Sequence, residues 1–116
     1  MRDTIQAIAD TIWQDSIKLF PKLKKFTCPT IIINNRLKKT IAYNRSETNE
    51  IHLARVYLNK YYDRMVTEIL CHELAHEIDW LLNGWAEGDK HHRKSWQNIL
   101  VKMGYPANRL QENMSL

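Results

Sequence analysis

No stretch restricts what this chain can become as strongly as Ile69-Leu70-Cys71-His72-Glu73-Leu74-Ala75-His76-Glu77-Ile78. Met65, Val66, Ile69, Leu70, Leu74, Ile78, Leu81 and Leu82 fall on more than one side of an α-helix, the pattern of a helix enclosed in the middle of a domain. Asp63 is placed to cap its start, and Asn83-Gly84 is a stop signal. His72 and His76 stand one turn apart, so their imidazoles project from one face and can both reach a single divalent metal. Two histidines and two carboxylates in such a helix are costly to bury without partners, and a metal is a common partner. In H-E-x-x-H chemistry Glu73 takes a proton from a metal-bound water and delivers it to a leaving amine. The plain alternative is a pair of hydrogen-bonded core histidines.

The rest of the chain must build a domain around that helix. Its 116 residues suffice for one domain spanning 1–116 with a single core, but not for a separate recognition module. The start runs Met1-Arg2-Asp3 into an amphipathic pattern without a signal peptide, and no apolar run approaches a membrane span. The expectation is an intracellular protein of the cytoplasm or nucleoid, or of the host cytoplasm for a phage product, with no membrane partner. Cys28 and Cys71 lack the paired spacing of a structural zinc site, and Cys71 lies within the central helix, which argues against a disulfide framework.

The spacing of apolar residues predicts a first helix over residues 3 to 20, capped by Asp3 and ended by Pro21. Trp13 and Ile17 widen its apolar face and read as core. Thr30 to Asn34 follows Pro29 as a β-branched strand, Thr40 to Tyr43 reads as a second strand, and Glu50 to Leu53 as a third after a hairpin loop. His52 falls on the face opposite Ile51 and Leu53, as an exposed strand residue. Ala54 to Tyr62 leads into the central helix. A last helix begins near Asp89 and runs to Met103, stopped by Gly104 and Pro106.

A catalytic zinc takes three protein ligands and keeps one position open. The apolar stripe Trp96, Ile99, Leu100, Met103, extended one turn back, lands on His92 rather than His91. His92 is therefore the leading third ligand, with His91, Glu87, Asp79 or no third ligand at all as alternatives. A metzincin pattern would need Gly at position 79 and His at position 82, where this chain has Asp79 and Leu82. Asp79 otherwise serves as a partner to a ligand or as a surface carboxylate.

These residues give the chain a resemblance to the SprT-like metallopeptidases, the family that includes the Spartan proteases acting on DNA-protein crosslinks. It rests on His72-Glu73-Leu74-Ala75-His76, on His92-Arg93-Lys94-Ser95-Trp96, which is similar to the family's H-G-x-x-W/F, and on Met103-Gly104-Tyr105-Pro106-Ala107. Upstream, Arg36 to Thr40 followed by Ile51-His52-Leu53 resembles the family's basic hairpin and I-x-L strand. The match spans most of residues 30 to 109. It implies an α+β, minimal zincin-like fold: an N-terminal helix, a small three-stranded antiparallel or mixed sheet, the central helix, and a C-terminal helix carrying the third ligand. It also implies zinc held by His72, His76 and His92, with Glu73 as catalytic base. Arg93 replaces the family's usual glycine, and the cysteine-rich zinc ribbon of many members is absent from these residues.

With a net charge of +4, binding to a polyanion is permitted. The basic residues cluster as Lys22, Lys24 and Lys25; Arg36, Lys38 and Lys39; and Lys90, Arg93 and Lys94. Each cluster alone reads as a solvated turn, but together they suit DNA. Trp80, Trp85 and Tyr43 are stacking candidates for unpaired bases, although packing accounts for each of them. The leading expectation is a zinc-dependent endopeptidase acting on DNA-associated or DNA-crosslinked proteins. The competing readings are a zinc-stabilised binding module without catalysis, and a regulatory metallopeptidase that cuts one partner independently of DNA. Tyr105, Arg109 and Tyr43 are the candidates for stabilising an oxyanion.

Overall fold

The first helix, α1 (Arg2–Leu19), buries Ile5, Ala9, Trp13 and Ser16, a single stripe at helical spacing. In this computed structural model, which describes residues 1–84, 94–105, 114 and 116, the helix begins one residue earlier than its periodicity suggests. Met1 is the N-cap and makes no side-chain capping bond. Asp3 is thus not the cap; it lies in the first turn, where a negative charge suits the helix dipole. The exit is a tight turn in which the Phe20 N–H donates to the Ser16 carbonyl at 2.8 Å. Pro21 then opens a 3-10 turn, Pro21–Lys25, that buries Leu23 and leaves its lysines outside.

Three strands follow: β1 (Thr30–Asn34), β2 (Ala42–Arg45) and β3 (Glu50–Ala54). Their spatial order is β1-β3-β2, with β1 parallel and β2 antiparallel to β3, so the sheet is mixed. One face presents Ile31, Ile51, Leu53 and Ala42 to the core. On the other face, Tyr43 and His52 are cross-strand partners whose rings stack at 4.5 Å. His52 lies on the expected face but is largely covered: Asn34 Nδ2 meets its Nδ1 at 3.2 Å and Glu50 Oε1 its Nε2 at 3.0 Å.

The two outer strands end differently. On β1 the Ile31 N–H donates to Gln6 Oε1 at 2.8 Å and Arg2 Nε donates to the Ile31 carbonyl at 3.1 Å. Side chains of α1 thereby close the edge where another strand would pair. Beyond β2 there is no fourth strand among the described residues.

From β3 the chain passes through α2 (Arg55–Lys60) and the short α3 (Tyr62–Arg64) into a π-helical turn, Met65–Ile69, and then α4 (Leu70–Asn83). Asp63 falls inside α3 rather than at a cap, and its carbonyl accepts from Thr67 Oγ1 at 2.7 Å. Leu70, Cys71, Leu74, Ala75 and Ile78 are fully buried, which makes α4 the centre of the core. It packs on β2, on α1 and on the final helix, α5 (Lys94–Lys102). That helix buries Trp96, Ile99 and Leu100, and Gly104 follows at positive φ. Its expected first residues, from Asp89 to Arg93, lie outside the described residues.

Candidate metal centre

The helix that carries H-E-x-x-H is enclosed on nearly every side, so each polar side chain on it must find a partner. His72 is 3% exposed and His76 is half-buried. Their ring centroids are 4.9 Å apart with planes 69° from parallel. Two imidazoles bound to one tetrahedral ion at bond lengths of about 2.0–2.1 Å place their centroids about 5 Å apart, so this pair is spaced to share a cation.

Trp96, from α5, holds both rings. Its indole stacks on His76 at 4.8 Å and 14°, and meets His72 edge-on at 4.8 Å. Its Nε1–H donates to the His72 backbone carbonyl at 3.2 Å. Sequence spacing marked Trp96 as core, which it is, but not as the wall of the two-histidine site. The signal was present: the stripe that ends on His92 passes through Trp96 first.

Glu73 is 5% exposed, and burial alone pushes its carboxyl up to about 8 from an ordinary 4.5. The side chain thus sits in a low-dielectric position beside the first histidine, where it can gain or lose a proton near neutrality.

Glu77, the residue after His76, is 2% exposed and was missed as an individual feature of the sequence. Burial raises its pKa, while hydrogen bonds from Ser46 and Asn44 work in the opposite direction. Asp79 is also buried, at 5%, and accepts from Asn83 Nδ2 at 2.8 Å, so it is not a surface carboxylate.

Neither cysteine is a ready ligand. Burial pushes the Cys71 thiol up to about 11, and Tyr105 hydrogen-bonds it. The same contact raises the Tyr105 hydroxyl to about 12. The ring of Tyr43 is stacked on His52.

Of the third-ligand candidates, His92, His91 and Glu87 lie outside the described residues, as do Trp85, Lys90, Arg93 and Arg109. Among the described residues no group of three His, Cys, Asp or Glu side chains gathers to hold a metal. Of the basic clusters, Lys22, Lys24, Lys25, Arg36, Lys38, Lys39 and Lys94 are all exposed. Lys25 and Lys102 spend part of their charge over aromatic rings, of Phe26 and Phe20, each at 5.4 Å.

The SprT-like family model matches residues 3–115. The chain belongs to the SprT-like family. No curated protein and no solved structure matches it. SprT-like proteins are typically metal-dependent, and membership points to a metallopeptidase-like role that agrees with the spacing of His72 and His76. No described helix is long and apolar enough to cross a membrane.

Proposed function

We propose that this SprT-like chain is a zinc-dependent endopeptidase with Glu73 as its general base, acting on proteins associated with or crosslinked to DNA. The observation that carries the reading is the pair of imidazoles 4.9 Å apart with a buried carboxyl between them in sequence. His72, His76 and His92 would hold the ion. When bound, zinc supplies Lewis acidity, acidifying water and polarising a carbonyl. Glu73 takes the proton from the attacking water and returns it to the leaving amine, which its displacement toward neutral pKa suits. Trp96 keeps both rings from turning and closes one side of the site to water.

Substrate fits best as an extended strand along β2. The β1 edge is already closed by Gln6 and Arg2. An edge strand offers backbone hydrogen bonds that are indifferent to side-chain identity, as an enzyme with varied protein substrates requires. The exposed Lys22–Lys25 and Arg36–Lys39 clusters favour a DNA partner, through phosphate contacts that weaken with salt.

Metal content and cleavage test this together. Wild type is expected to hold one zinc and to cleave an unfolded protein, and Glu73→Gln to keep zinc while losing cleavage. Cleavage surviving in Glu73→Gln with zinc retained defeats Glu73 as the base, whereas a wild type that holds zinc but cleaves nothing leaves a zinc-stabilised binding module. His92→Ala is expected to lose zinc and His91→Ala to keep it; the reverse reassigns the third ligand. Cleavage that neither single- nor double-stranded DNA stimulates at any salt concentration favours a regulatory peptidase with one partner.

A further inference from the structure

Along β2, Ala42 and Asn44 point to the same side of the sheet. Ala42 is buried opposite Leu53, and Asn44 stands opposite the fully buried Ile51. On a core-facing side the period-two pattern calls for an apolar residue at 44. The sequence supplies an asparagine there, and across from it α4 supplies a buried carboxylate, Glu77.

The two are joined. Ser46 Oγ donates to Glu77 Oε1 at 2.8 Å, and the Asn44 side chain also hydrogen-bonds that carboxylate. Asn44 Nδ2 reaches the Glu50 carbonyl of β3 at 3.4 Å, and Ser46 Oγ lies 3.4 Å from Asn44 Oδ1. One acidic side chain thereby holds the end of β2, the turn after it and the start of β3. A leucine at 77 would fill a helix-sheet contact without the desolvation that a carboxylate incurs. Stability of the core alone therefore does not account for a glutamate here. Its place on the helix gives a better reason: it is one residue from His76 and one turn from Glu73.

We propose that Glu77 is a positioning residue, which through Ser46 and Asn44 fixes edge strand β2 to the helix bearing His72, Glu73 and His76 and so sets where an extended substrate lies relative to Glu73. This rests on the peptidase reading above and on β2 as the substrate edge. Glu77 touches neither substrate nor the reacting atoms; it acts through the strand.

The test uses the zinc-loaded full chain with unfolded casein as the probe, and amide hydrogen exchange at residues 42–50 as an independent readout. Glu77→Leu is expected to speed exchange at those residues and to raise KM for casein about tenfold, the low end of what losing a hydrogen bond to a charged group produces, with a smaller effect on kcat. Glu77→Gln, whose amide can still accept from Ser46 and pair with Asn44, is expected to restore both towards wild type. Ser46→Ala gives a milder shift in the same direction and serves if Glu77→Leu fails to fold. Exchange at 42–50 that is unaltered in Glu77→Leu or, failing that, in Ser46→Ala overturns the anchor. A loss confined to kcat, or Glu77→Gln as damaging as Glu77→Leu, overturns its role in placing substrate. If wild type cleaves no better than Glu73→Gln, it is the peptidase reading that fails; the placement role falls with it, and exchange still decides whether the anchor exists.

Discussion

The indole of Trp96 lies against the imidazole of His76, with ring centroids 4.8 Å apart and planes 14° from parallel. Because the same indole also donates to the His72 carbonyl, one side chain of α5 registers that helix on both histidines of α4. Trp96→Ala is expected to cost about 3–5 kcal/mol, as loss of a buried aromatic ring does. With the rings released, zinc affinity should fall by about 10- to 100-fold, the effect of losing a group that orients ligands. Trp96→Phe keeps a ring but loses the N–H, and should cost less in both respects. Urea unfolding and competition with a zinc chelator measure the two. A Trp96→Ala protein with wild-type zinc affinity would show that the stacking is mere packing.

Glu73 makes the metal-free protein sensitive to pH. Its carboxyl titrates near 8 in the fold and near 4.5 when exposed, so between those values the unfolded chain has released a proton that the native state retains. Stability from this group is complete below about 4.5 and is lost as pH rises through 8. The total is on the order of a few kcal/mol, because the group is buried and solvent does not screen it. The melting temperature of zinc-free protein should therefore fall between pH 5 and 8 by roughly the shift such an energy produces in a domain of this size. Glu73→Gln has nothing to ionise and should remove most of that slope. A slope equal to that of wild type would place its origin elsewhere.

How far residue spacing reached depended on how local the cause was. The α1 stripe of Ile5, Ala9 and Trp13 and the limits of β1 follow from periodicity and from Pro29, and both were legible. β2 lies two residues later than its β-branched run suggests. Its limits are set by pairing of Ala42 with Leu53 and Arg45 with Glu50, not by the propensity of Thr40 and Ile41. The parallel pairing of β1 with β3 is likewise a property of the crossover. Asp3 and Asp63 carried cap signals, yet backbone geometry begins both helices without them. Nothing in Met65–Ile69 announces a π-turn, whose extra residue resets the phase of the helix just before His72. The closeness of the His72 and His76 rings was legible because their spacing lies within one helix. The contacts of Trp96 with the two histidines and of Glu77 with Ser46 were not legible because they depend on which elements α4 meets.

The thiols should be poorly reactive for reasons that can be separated. Burial, with a hydrogen bond to Asp10 and its charge adding to it, pushes Cys28 up to about 12. Cys28 is only half-buried, so reagent access is not the main barrier. Since the thiolate is the nucleophile, alkylation of Cys28 at pH 8 should run about a thousandfold slower than for an ordinary thiol. Asp10→Asn removes the charge but not the burial, and should restore part of that rate. Cys71 is buried as well as raised to about 11, and should react only on unfolding. Mass spectrometry of iodoacetamide-treated native protein reads both sites. Rapid labelling of Cys28 in the native state would contradict the account.

Gly84 ends α4 with φ +67° and ψ −173°, a conformation open in practice only to glycine. Its N–H still donates to the Trp80 carbonyl at 2.8 Å, so the helix end depends on that backbone shape. Among the described residues a Cβ placed on Gly84 would meet no atom within 4 Å, so backbone shape rather than a clash with them is what an alanine would suffer there. Gly84→Ala should cost about 1–3 kcal/mol, all of it backbone strain. Handedness supplies the control. A D-alanine at 84, introduced by chemical ligation, finds the mirror-image conformation favourable and should stabilise the protein by about 0.4–1 kcal/mol through loss of unfolded-state freedom. Equal destabilisation by both enantiomers in urea unfolding would mean that the methyl group itself, not the positive φ, is what the site rejects.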